Sequence, residues 1–283
     1  MTYDRIPAFT CFGASTPVTP VILSVPHAGR TYPDGLLNAS AVPVSTLHGL
    51  EDRYVDHVAG IARRHETLIV ANCPRAWIDL NRAEWERDPQ VDDGADPAAQ
   101  PHGSAKVRGG LGLVPRRLGT CQMLWHRPFS ADDIETRIAR CHRPYHQMLA
   151  NILHTALARF GTAILLDIHS MPPISAANAP RIVLGDRFGR SAGSRLVAAA
   201  QMAAENHGYT TAVNSPYSGG YILDRHGAAD RGIHAIQIEI DRATYLDSAL
   251  NLPGPGLNAV ATMVRAMIDA VSAEAVPQPL AAE

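Results

Sequence analysis

The sequence predicts an α/β fold of three layers, a mostly parallel sheet flanked by helices on both faces, and three observations carry that reading. Short apolar runs bounded by turn residues recur along the chain. They are continuous rather than alternating, as expected of strands buried on both faces. Helical periodicities fill the intervals, and strands alternating with helices form parallel crossover units. Of the 283 residues, 46% are hydrophobic and only 18% charged, which supplies a core large enough for a single domain spanning residues 1–283.

The first run, 21–25, reads Val-Ile-Leu-Ser-Val. The acids of Glu51-Asp52-Arg53-Tyr54-Val55-Asp56 mark the start of a helix running to Arg63, and 68–71 is the second run. Ser130 opens the clearest helix. Asp133 completes a variant capping box, Ile134, Ile138, Tyr145, Leu149 and Ile152 follow at helical spacing, and Gly161 stops it. Pro144 is expected to kink it. Strands at 163–168, 181–184, 209–213 and 235–240 follow, with Ala-rich helices around 191–207 and 257–271. The stretch 84–125 breaks the rhythm with scattered acids, Gly109, Gly110 and Gly112, and reads as a long loop, either a surface excursion or a lid. The Ala/Pro-rich end after about 273 reads as a flexible tail.

Charge excludes two classes of partner. With 25 Lys plus Arg against 27 Asp plus Glu, the net charge of -2 provides no basic field for nucleic acid or anionic lipid, so an anionic partner needs local arginines. No run approaches the roughly 20 apolar residues that span a bilayer, and Met-Thr-Tyr-Asp-Arg does not open a secretory signal, so no membrane partner and a cytoplasmic location are expected. Nothing in these features fixes the oligomeric state. The four cysteines, Cys11, Cys73, Cys121 and Cys141, form no Cys-x-x-Cys pair, which argues against a disulfide framework and a thiolate zinc site. A metal would therefore sit on carboxylates and on some of the 13 histidines.

In an open α/β sheet the ligand crevice lies beyond the carboxyl ends of the strands. Three strands end there in polar residues: Pro26-His27-Ala28-Gly29, Asp167-Ile168-His169-Ser170 and Ile238-Glu239-Ile240. A single strand-end histidine reads as a cap or core residue. Two with an acid describe a His/His/carboxylate zinc centre with a position open to water, plus a separate general base. The third ligand is open among Glu51, Asp52 and Asp56, because Arg30 stands three residues after His27. Acids at a helix start are also ordinary macrodipole partners. Asp167 lies on the same side of its strand as His169, where it either orients that ligand or serves a turn. Arg75, Asn81 and Arg82 suit a substrate carboxylate, with surface salt bridging as the bland alternative.

Two further patterns compete. His142 and His146 lie four apart on the kinked helix, but no Glu stands beside the first and Pro144 distorts the spacing. Gly189-Arg190-Ser191-Ala192-Gly193 matches a nucleophile elbow, with His226 or His234 downstream, yet Gly185-Asp186-Arg187-Phe188 separates it from the strand. Opening a helix suits it better.

Together, Ser24-Val25-Pro26-His27-Ala28-Gly29, Asp79-Leu80-Asn81-Arg82, Asp167-Ile168-His169-Ser170-Met171-Pro172, Pro216-Tyr217-Ser218-Gly219-Gly220 and Gln237-Ile238-Glu239-Ile240 resemble the N-formylglutamate amidohydrolase family from about 21 to 245. The resemblance implies a mixed sheet like that of the zinc carboxypeptidases and one zinc ion on His27, His169 and, as third ligand, Asp52. It implies Glu239 as general base and Asn81-Arg82, with Tyr217, as substrate contacts, beside the Arg75 that the residues themselves suggest. The implied activity is zinc-dependent cleavage of an N-formyl or other small N-acyl group from an acidic amino acid such as glutamate. Residues 83–89 depart from the pattern expected in deformylases of histidine breakdown, which leaves the acyl group and amino acid open. The alternatives are a serine hydrolase at Ser191 and a binding protein for small acids without turnover.

Overall fold

A computed structural model of the chain describes residues 7–96, 98, 104–119, 122–176 and 178–275. Its strands are β1 (Phe9–Phe12), β2 (Val21–Val25), β3 (Thr67–Ala71), β4 (Arg117–Leu118), β5 (Gln122–Met123), β6 (Ala163–Met171), β7 (Ile182–Gly185), β8 (Thr211–Val213) and β9 (Ile233–Asp241). Seven of them form one sheet in the order β1-β3-β2-β6-β9-β7-β8. β2, β6 and β9 run parallel, as do β7 and β8, while β7 is antiparallel to β9. The fold is thus mixed α/β with a mostly parallel sheet. All six apolar runs are strands, and β2, β3, β6 and β7 are buried at every residue.

By its internal contacts the chain divides into two compact units. One comprises residues 1–11, 25–53 and 69–149. It holds the 84–125 stretch, whose described part is tied down by interior pairs: Arg116 Nε donates to Asp88 Oδ2 at 2.8 Å and Trp125 Nε1 to the Pro115 carbonyl at 2.7 Å. Ser130 caps the helix Ala131–Arg137 by accepting from the Asp133 N–H at 3.2 Å. A π turn, Ile138–His142, then leads into the helix Arg143–Phe160. The Arg143 N–H reaches back five residues to Ile138, one turn ahead of the distortion expected at Pro144, which has no N–H to continue the ladder. Cys73 and Cys141 form a disulfide, against the expectation from their spacing. Sixty-eight residues separate them, and only the fold brings their Cα atoms to 6.7 Å.

The other unit comprises residues 12–24, 54–68 and 150–283. Here the helix Leu257–Ala275 packs against the helices Ser194–Asn206 and Val55–Ala62. Val260, Met263, Val264, Met267, Ile268 and Val271 are its buried stripe, at the spacing an amphipathic helix requires. The expected tail after about 273 falls almost entirely outside the described residues. No described helix is long and apolar enough to cross a membrane.

Candidate metal centre

β2 delivers the chain through Pro26 to His27, which is 2% exposed. Two residues on, the backbone approaches the Cys73 carbonyl so closely that a Cβ at Gly29 would lie 2.2 Å from its oxygen, and only glycine fits. His27 Nε2 lies 2.7 Å from Asp79 Oδ1. A carboxylate oxygen accepts, so Nε2 carries a proton and donates it, and Nδ1 is the atom that faces Asp52 Oδ2 at 3.4 Å. The Asp52 N–H in turn donates to the His27 carbonyl at 3.0 Å.

The three acids offered as third ligand are separated by the structure. The helix begins at Val55 rather than 51, so Asp52 lies in the loop ahead of it. Glu51 is taken by the Tyr32 hydroxyl at 2.5 Å and by Arg53 Nη1 at 2.6 Å. Asp56 stands in the first helical turn as a dipole partner.

Asp79 is fully buried and organises its neighbourhood. Oδ1 also accepts the Asn81 N–H at 2.9 Å, and Oδ2 accepts Arg75 Nε at 2.9 Å. Burial by itself would raise its pKa, but the guanidiniums of Arg75 and then Arg82, with His27, outweigh burial and hold this carboxyl well below the usual range.

β6 and β9 carry the remaining residues. Along β6, Asp167 and His169 share one face. His169 Nε2 lies 2.9 Å from Asp167 Oδ2, while Asp167 Oδ1 accepts the Ser24 hydroxyl at 2.6 Å. His169 therefore also carries its proton on Nε2 and offers Nδ1. Its register partner on β9 is Glu239. Glu239 Oε1 accepts Gln237 Nε2 at 2.8 Å, and Gln237 Oε1 accepts the Gly220 N–H at 3.1 Å. Gln237 went unassigned in the sequence although it stands two residues before the acid, the spacing by which Asp167 precedes His169.

His27, Asp52 and His169 each present a ligand atom, and these atoms lie within 4.8 Å of one another. It is the one such group of His, Cys, Asp or Glu among the described residues. The donor set fits a divalent cation on two counts. Both imidazoles are anchored through Nε2 to a buried aspartate, the arrangement that orients histidine ligands. His27 Nδ1 and Asp52 Oδ2 also lie 3.4 Å apart and buried, so one cation beside them can take both as ligands.

The expected substrate contacts divide. Arg75 holds Asp79 through Nε and keeps part of its side chain exposed. Asn81 is buried beside it. Arg82 is also buried: Nε donates to the Leu111 carbonyl at 2.7 Å, Nη1 donates to that of Asn81 at 2.6 Å, and Nη2 lies 3.9 Å from Asp79 Oδ2, so it frames the segment. Tyr217 is half-buried in the 214–220 loop, after the cis peptide bond between Ser215 and Pro216. Ser191 donates its hydroxyl to the Ala235 carbonyl at 2.8 Å and stands just before the helix at Ser194, so its proton is engaged by main chain and not by an imidazole base.

Residues 19–246 match the N-formylglutamate amidohydrolase family. An N-formylglutamate deformylase of Pseudomonas putida and one of Pseudomonas aeruginosa are each 27% identical over 236 residues, covering 81% of this chain and 82% of theirs. The crystal structure of N-formylglutamate amidohydrolase from Ralstonia eutropha JMP134 superposes with a TM-score of 0.86 at 28% identity, over 95% of this chain and 98% of that one. A gene product of Agrobacterium tumefaciens, Atu2144, shares the fold with a TM-score of 0.66 at 20% identity, each chain covered to 97%. With the matched segment spanning β2 to the end of β9 and every residue of the candidate centre within it, the chain belongs to the N-formylglutamate amidohydrolase family.

Proposed function

We propose that this chain is a zinc-dependent amidohydrolase that cleaves the formyl–nitrogen bond of N-formylglutamate, releasing formate and glutamate. The observation that carries the reading is the ligand trio of His27, Asp52 and His169, with each imidazole aimed by its own buried aspartate. The names of the relatives supply the substrate. Zinc held there supplies Lewis acidity, which acidifies water and polarises the amide carbonyl.

The protein's own groups do the rest. Glu239, its carboxylate fixed by the Gln237 amide, takes a proton from the attacking water as the carbon–oxygen bond forms. It returns that proton to the amine nitrogen as the carbon–nitrogen bond breaks. Asp79 and Asp167 hold the imidazoles as neutral Nε2–H tautomers. Arg75, Asn81 and Arg82, with Tyr217, bind the acidic amino acid.

Metal analysis of the purified protein, paired with formate release from N-formylglutamate, N-formylaspartate and N-acetylglutamate, tests this. One zinc per chain, activity lost in chelator and restored by zinc, and preference for N-formylglutamate are expected. Chelator-resistant turnover would overturn the metal chemistry. Tight binding of the substrate without formate, in zinc-loaded protein, would make the chain a binding protein for small acids.

A further inference from the structure

The helical segment after Ser130 carries two imidazoles, His142 and His146, both 0% exposed, with ring centroids 4.3 Å apart and ring planes tilted by 49°. They are no metal pair: each ring is turned to main chain. His146 Nε2 lies 2.9 Å from the Leu80 carbonyl oxygen, and His142 Nε2 lies 2.8 Å from that of Arg82. A carbonyl oxygen only accepts, so both rings carry a proton on Nε2 and donate it.

The two carbonyls flank Asn81, whose own N–H donates to Asp79 Oδ1 at 2.9 Å. The main chain of 80–82 is therefore pinned on both sides and in the middle. This segment is an irregular turn, without a ladder to satisfy its buried carbonyls, so the side-chain donors decide its conformation. The π turn at Ile138–His142 sets the rotation at which His142 enters the helix. The Cys73–Cys141 disulfide ties the same two stretches together, one residue before His142 and two before Arg75.

We infer that His142 and His146 are positioning residues, a two-point latch that aims Asn81 and Arg82 at the substrate carboxylate. The inference rests on the proposed role of Asn81 and Arg82 in gripping that carboxylate. It predicts an effect on substrate affinity, because the latch holds a binding segment and touches none of the reacting atoms.

The test compares His146→Gln with His146→Asn, alongside the same pair at His142. Gln places its amide nitrogen where Nε2 stood, whereas Asn falls short of the carbonyl. The Gln variants are expected to keep KM for N-formylglutamate within about threefold, and the Asn variants to raise it roughly tenfold with kcat little changed, the scale of one lost buried hydrogen bond. Equal KM in the Gln and Asn variants, or a loss confined to kcat, would overturn the latch. Asn81→Ala separates the two claims. If it leaves KM unchanged, the reading of the carboxylate grip fails; if it raises KM while the Asn variants do not, only the latch fails. Imidazole nitrogen NMR of the unmodified protein adds a check that needs no variant, since finding either ring as the Nδ1–H tautomer would also overturn it.

Discussion

At the scale of single residues, the proposed chemistry separates into groups that hold metal, groups that aim the holders and one that moves a proton. Glu239 is nine-tenths buried at the end of an apolar strand, a costly place for a charge that has no use. Glu239→Gln keeps size and shape and removes only the acceptor. It is expected to retain stoichiometric zinc and lose roughly 10² to 10⁴ in kcat, the range of general-base removal. Loss of zinc in that variant would make Glu239 a ligand. Asp167→Asn tests the second group: it leaves His169 in place but weakens the partner that fixes its tautomer, so zinc affinity should fall by about 10–100-fold in metal-buffered titrations. An unchanged affinity would reduce Asp167 to a structural partner of Ser24. His27, His169 and Glu239 were legible in the sequence because they stand at strand ends, where a ligand crevice opens. The anchoring role of Asp79 was not, since its partner His27 lies 52 residues away and only the fold makes them neighbours.

At the scale of elements, continuous apolar runs identified every long strand, and the Ser130 cap fixed the start of its helix to the residue. β1 escaped because it alternates half-buried and exposed positions over only four residues, Phe-Thr-Cys-Phe, at the sheet edge. The helix near 51 was placed early because acids at a start are a weak signal. Tyr54, with a left-handed φ of 56°, makes the turn into Val55 and leaves Asp52 in the loop ahead of the helix. The loop after β2 depends on Gly29, and that dependence is measurable. Gly29→Ala would drive a Cβ into the Cys73 carbonyl, a backbone atom that cannot rotate away. The expected cost is about 1–3 kcal/mol, typical of overpacking, read as a lower midpoint in denaturant. Because His27 is two residues upstream, zinc affinity should fall in parallel. A variant as stable as the parent would show that the 26–29 turn tolerates a different path.

At the scale of the whole molecule, the proposed ligands stand at positions 27, 52 and 169, so the unfolded chain offers no preformed site and a metal held by the trio would stabilise the folded state. A ligand at a hundred times its Kd contributes about 2.7 kcal/mol. For a chain of this size that corresponds to roughly 5 °C in melting temperature. Zinc-loaded protein is therefore expected to melt higher than protein treated with chelator, and the gap should widen with free zinc. His169→Ala removes one ligand without touching the apolar contacts of β6, so it should melt near the chelated parent and gain nothing from zinc. Differential scanning calorimetry at fixed free zinc makes the comparison. If the parent and His169→Ala gain equally, the stabilising ion sits elsewhere on the chain. If neither moves while formate release continues in chelator, the trio at 27, 52 and 169 is a polar cluster of the fold and the hydrolysis proceeds without it.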